Sequence, residues 1–227
     1  MIKSALNILA INWKLILFEY TTKTLLLAAV AVIIGTVIGA LLCFAQMGKI
    51  KPLKWIVVAV VEFVRGTPAL LQVYLIYFIL PNIFPQMNRI DPILSAFICA
   101  AVALTLNSAA YVSEIIRSGI EAVDKGQTEA ARSLGLNATT TMIEIVLPQA
   151  VKNILPALGN EFITVVKETS LASTFFAGEL MTFYKEYVGF THDAFPAFIV
   201  VGLVYFLMNF ILSKGMKFAE RRMKAHA

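Results

Sequence analysis

Uncharged stretches and short polar turns alternate along this chain. Leu25 to Ala45, Ile93 to Ser113 and Ala194 to Ser213 carry no charged side chain. Each is long enough for a helix that crosses a bilayer, which takes about 20 apolar residues. Two further stretches are apolar but interrupted. Residues 55–80 contain Glu62 and Arg65, and residues 148–166 contain Lys152, Asn153, Pro156, Asn160, Glu161 and Thr164. The pattern predicts an all-α membrane protein with five spanning helices, over about 25–45, 55–80, 93–113, 148–166 and 194–213. In residues 1–22, Leu6, Leu9, Trp13, Leu17 and Tyr20 recur at steps of three and four among Lys3, Lys14 and Glu19. That spacing predicts a separate amphipathic helix lying in the interface.

Particular residues refine the picture. Ala31, Gly35 and Gly39 repeat every four residues, a stripe that lets helix backbones approach in lipid. Glu62 and Arg65 are three residues apart, hence on one face. They read as an intrahelical ion pair near a helix end, or as a gate or subunit contact. Gly66-Thr67-Pro68 follows; Pro68 removes a backbone donor and kinks or loosens the second span. Asn107, Tyr111 and Glu114 share a face of the third span. Such a face avoids lipid and looks into the bundle, either bonding helix to helix or lining a substrate path. The fourth span carries a polar stripe of Asn153, Asn160, Thr164 and Lys167, with Glu161 beside it. A helix this polar belongs at the centre, near a dimer axis or a watery path. Glu161 is the carboxylate best placed to meet a cationic group in such a path; its alternative is an ion pair with a Lys or Arg of this chain.

Composition agrees with a bilayer. The chain is 59% hydrophobic, and its mean hydropathy is +0.80. A net charge of +5 and a pI near 9.2 then point to basic loops beside anionic lipid and not to nucleic acid. Cys43 and Cys99 lie in apolar runs and read as packing residues, while His192 and His226 stand alone. The one Gly-Lys pair, Gly48-Lys49, has Cys43 where a phosphate-binding loop needs its first glycine. No Ser-His-Asp set or metal cluster is visible, so an enzyme is not expected, nor a cofactor in this chain.

The longest polar island, about 117–147, separates the third and fourth spans. Thr128 is positioned to cap a short helix, and Gly135 to end it in a left-handed conformation. Thr141-Met142-Ile143-Glu144 has the form of a capping box that starts a second helix. Ala130 and Ala131 leave a bare surface for another protein.

Glu129-Ala130-Ala131, three residues, Gly135, nine residues, then Ile145-x-Leu147-Pro148 resembles the "EAA" loop of permease subunits of type I ATP-binding-cassette importers. Arg65-Gly66-Thr67-Pro68, Asn107-Ser108-Ala109-Ala110-Tyr111, Leu158-Gly159-Asn160-Glu161-Phe162 and Lys167-Glu168-Thr169-Ser170-Leu171 extend the resemblance to the polar amino acid uptake branch. The resemblance implies a transmembrane domain over 23–222 with a basic tail end at 223–227. It implies that Glu129, Ala130, Ala131, Gly135, Ile145, Leu147 and Pro148 engage a separate ATPase subunit, which binds the ATP and magnesium. Asn107, Tyr111, Glu114, Asn160, Glu161 and Thr164 become candidates for the substrate path, and Glu62, Arg65 and Pro68 for a gate. Implied partners are an ATPase dimer, an extracytoplasmic solute-binding protein meeting an outer helix near 177–187, a second permease chain, a polar amino acid and membrane lipid. The expected location is a bacterial plasma membrane.

With the polar island inside the cell, twelve basic residues fall on the cytoplasmic side against Arg89, Lys167 and Lys185 outside, as the positive-inside rule requires. The N-terminus is then outside, a placement that Lys3 and Lys14 oppose. The competing function is a secondary transporter driven by an ion gradient, with Glu161 as a coupling carboxylate. Five spans suit inverted repeats poorly.

Overall fold

A computed structural model describes residues 2–225, with side chains through Arg222. The expected tail end, 223–227, and His226 fall outside the described side chains. Helix α1 runs unbroken over Ile2–Met47, with a π-helical stretch at Leu15–Tyr20. The hydroxyl of Thr21 donates to the Ile16 carbonyl at 2.8 Å, an oxygen that also accepts from the Thr21 amide across the wider turn. The boundary expected at residue 22 therefore lies inside one helix. Residues 2–20 are its N-terminal part, and Ala5, Ile8, Ile16 and Tyr20 pack there against other helices.

Helices α2 (Lys51–Gly66) and α3 (Ala69–Ile83) take the place of the single span expected over 55–80. They meet at an angle of 107°. Pro68 disfavours helical geometry at its predecessor, and Thr67 is extended, with φ −112° and ψ 148°. The break is thus far sharper than a kink. Helix α4, Pro92–Glu121, begins at Asp91, whose carboxylate accepts from the Leu94 amide at 2.9 Å.

Helix α5 covers Lys125–Ser133. Helical structure resumes at Ala138 and continues through a π-helical stretch, Thr141–Val146, into α6, Leu147–Glu168. A 3-10 segment, Thr169–Phe175, leads to α7, Leu180–Thr191, and α8, Ala194–Ala225. By length and composition, three of the described helices can cross a membrane, or four if α2 and α3 together make one span. Helix α6, with Lys152, Asn160 and Glu161 in its length, is too polar to qualify on its own.

The centre is α1 against α4. Leu27, Ala28 and Ala31 of α1 meet Ala96, Ala100 and Leu104 of α4, with Val165 and Val166 of α6 closing the cluster. Gly35 and Gly39 continue the seam: a Cβ on Gly39 would lie 2.8 Å from the Ala109 carbonyl oxygen. Lipid is as apolar as these side chains, so close packing rather than escape from water holds such a seam. Cys43 and Cys99 are buried free thiols in the packing. A second cluster joins the start of α1 to Leu180 and Phe183 of α7 and to Ala197, Val200 and Val204 of α8. Glu179, fully buried, caps α7 by accepting from the Met181 amide at 2.8 Å and the Thr182 amide at 2.9 Å. It also accepts from the Tyr205 hydroxyl at 3.0 Å, which ties α7 to α8.

Candidate functional site

The hairpin between α4 and α6 is built by local hydrogen bonds. Asp124 caps α5, its carboxylate accepting from the Gly126 amide at 2.6 Å. Thr128 lies inside the helix and is not its cap, because Asp124 directly precedes the first helical residue. At the other end the Leu136 amide reaches the Ala131 carbonyl at 3.1 Å, and Gly135 takes φ +86°. This is the left-handed closure expected of Gly135. Nothing lies within 4 Å of a Cβ built there, so the requirement for glycine comes from the backbone and not from crowding.

The second helix starts at Asn137, whose side chain accepts from the Thr140 amide at 2.9 Å. Thr141 is buried, and its hydroxyl donates to the Asn137 carbonyl at 2.9 Å. The expected Thr141–Glu144 capping box is thereby replaced by a cap four residues earlier. Glu129 and Ala130 are exposed, whereas Ala131 is 5% exposed and packs inward. The bare surface is therefore Ala130 with Leu134, which is 83% exposed at the tip. Ile145 and Leu147 are half-buried at the base of the hairpin, and Pro148 is exposed.

An alternating row of charges leads up from this hairpin. Arg117 donates to both oxygens of Glu121 at 2.8 Å and to Glu114 at 2.8 and 3.1 Å. Glu114 also meets Arg65 of α2 at 3.4 Å, and the Arg65 guanidinium lies over the Tyr111 ring, 5.5 Å from its centroid. Arg65 thus pairs across helices with Glu114 and not along its own helix with Glu62, which is exposed and lines the same pocket beside Gln46 and Lys54. Where α2 lies against α4, Arg65 faces Glu114. Asn107, 4% exposed, donates to Gln72 of α3 at 3.0 Å. All three members of the α4 polar face have protein partners.

Helix α6 differs. Asn153, Asn160, Thr164 and Lys167 form an exposed polar stripe, and half-buried Glu161 makes no ion pair among the described residues. The structure therefore separates the six substrate-path candidates into a set on α4 with partners on neighbouring helices and a set on α6 without an ion pair among the described residues. Gln72, Arg117 and Glu121 were missed from the sequence. A lone amide in an apolar helix and the spacing of Glu114, Arg117 and Glu121 were the signals available.

Residues 31–225 match the family described as binding-protein-dependent transport system inner membrane component. The chain belongs to that family. The arginine transport system permease protein ArtQ of Bacillus subtilis (strain 168) is 39% identical over 210 residues, covering 92% of this chain and 93% of that protein. The probable glutamine permease GlnM of the same organism is 37% identical over 88% of this chain and 90% of its own length. A crystal structure described as an amino acid ABC transporter with histidines superposes with a TM-score of 0.85 at 39% identity, over 94% of this chain and 96% of the other. The MetNI methionine transporter in an inward-facing form shares the fold, with a TM-score of 0.76 at 20% identity, over 93% of this chain and 97% of the other. The chain is a multi-pass membrane permease subunit of an ABC importer and not an enzyme; ATP hydrolysis resides in a separate subunit. Membership leaves the ion-gradient alternative without support.

Proposed function

We propose that the chain moves a polar amino acid across a bacterial plasma membrane by alternating access, driven by a separate ATPase that binds ATP and magnesium. Glu129, Ala130, Ala131, Gly135, Ile145, Leu147 and Pro148 form the coupling element, with Ala131 and Gly135 shaping the hairpin that presents Ala130 and Leu134. On this reading α6 is a span despite its polarity, which with α2 and α3 counted as one makes five, and the hairpin and tail lie inside and the N-terminus outside. A second permease chain, the same or homologous, covers the polar stripe of α6. Asn160, Glu161 and Thr164 then line the path between the two chains, and a solute-binding protein delivers substrate from outside. Lipid surrounds the remainder.

The observation that carries this reading is the exposed hairpin closed by Gly135 at φ +86°, in a chain whose relatives named for amino-acid transport match it almost end to end. Gly135→Trp tests it in proteoliposomes with the native ATPase and binding protein. A bulky residue strains the left-handed position, at about 1–2 kcal/mol, and obstructs docking. ATP hydrolysis should continue while uptake falls. Unchanged uptake would remove the hairpin from coupling.

A further inference from the structure

Pro68 cannot donate to the Val64 carbonyl four residues earlier, as a helical residue would. The Gln72 side chain makes the shortest contact there: its amide nitrogen lies 2.8 Å from the Val64 oxygen, which the Thr67 amide and hydroxyl also reach, at 3.4 and 3.3 Å. The same nitrogen lies 3.2 Å from the Thr67 carbonyl and 3.0 Å from the Thr67 hydroxyl. Gln72 thus closes the corner between α2 and α3 across the break. Its carbonyl oxygen accepts from Asn107 of α4 at 3.0 Å, and Arg65 holds Glu114 of α4 at 3.4 Å on the other side of the corner. Both arms are therefore fastened to α4. The far arm, α3, grips the connector after α6: Phe175 stacks on Tyr77 at 3.7 Å between centroids and meets Tyr74 edge-on at 4.9 Å.

We propose that Gln72 is a positioning residue that locks the α2–α3 corner, so that both arms move with α4 as one rigid lever. Motion at the hairpin enters through Glu121, Arg117 and Glu114. It leaves through the ring contacts on Phe175. The idea rests on the transport reading above, and it assigns Gln72 a role in transmission and not in touching substrate.

The test uses the full assembly in nanodiscs, with spin labels on Leu53→Cys in α2 and Ile79→Cys in α3, both exposed in this chain. Gln72→Met removes the donor at similar length; Gln72→Glu keeps the acceptor for Asn107 and loses the donor. The unsubstituted lever should give one narrow distance distribution, the same with and without ATP. Both variants should broaden it and lower the substrate moved per ATP hydrolysed by about tenfold, within the range by which residues along a transmitting network change coupling, while ATPase activity persists. Distances and coupling like those of the parent would overturn the proposal. So would equal loss of transport and ATPase in proportion to folded assembly, since that is a stability effect. Should the parent assembly import no amino acid, the transport reading fails, and the distance distributions in the same samples still decide whether Gln72 locks the corner.

Discussion

Replacing Gly39 with alanine should force apart the two helices at the centre of the bundle. A Cβ there would sit 2.8 Å from the Ala109 carbonyl oxygen and 2.9 Å from both Cβ and Cγ1 of Val112. Carbon atoms rest at about 3.5–4.0 Å, so α1 and α4 must separate by roughly 1 Å. The obstructing oxygen is backbone inside a helix and cannot rotate aside. Overpacking of this kind costs about 1–3 kcal/mol, and the better helix propensity of alanine returns up to about 1 kcal/mol. With that return in full the net loss is up to about 2 kcal/mol, a melting temperature lower by up to roughly 8 °C for a chain of this size. Gly35→Ala should cost less, since its nearest neighbours lie at 3.1–3.2 Å and include the Ser108 side chain. Gly202→Ala, with nothing within 4 Å, should be neutral or raise the melting temperature. Thermal unfolding of the purified permease in one detergent, followed by tryptophan fluorescence, ranks the three. A Gly39→Ala protein that melts at or above Gly202→Ala would refute the close-packed seam.

Two other outcomes are expected. Glu161→Gln should weaken uptake of cationic amino acids more than of neutral ones in reconstituted transport, because it removes a carboxylate that no cation pairs with among the described residues; equal effects on both classes would take Glu161 out of the path. Burial pushes the Glu179 carboxyl above its ordinary range, against hydrogen bonds from Met181, Tyr205 and Thr182 that lower it. A raised folded value means that the stabilising contribution is complete at low pH and fades as pH rises through that value. The parent should therefore gain stability over Glu179→Gln as pH drops from about 8 to about 5; a constant difference in melting temperature would count against it.

Periodicity and charge were enough to read an all-helical membrane protein from this chain, with Ala31, Gly35 and Gly39 as a packing stripe and Gly135 as a left-handed stop. Each of these depends on local chemistry: hydropathy, the size of one side chain, or the φ that one residue can adopt. Folding decided the rest. Arg65 and Glu62 satisfied the spacing rule for a pair, yet the packing of α2 against α4 set Arg65 on Glu114, a choice that no separation along the sequence encodes. Thr128 and Thr141 were plausible caps until Asp124 and Asn137 were seen closer to the actual helix starts. Tertiary contact divided the polar residues as well. Asn107 and Glu114 became fastenings because α2 and α3 lie against α4, whereas Glu161 on α6 has no ion pair because no cation among the described residues reaches it. Partner choice among polar groups buried in a membrane depends on which helices end up adjacent, and adjacency belongs to the folded bundle.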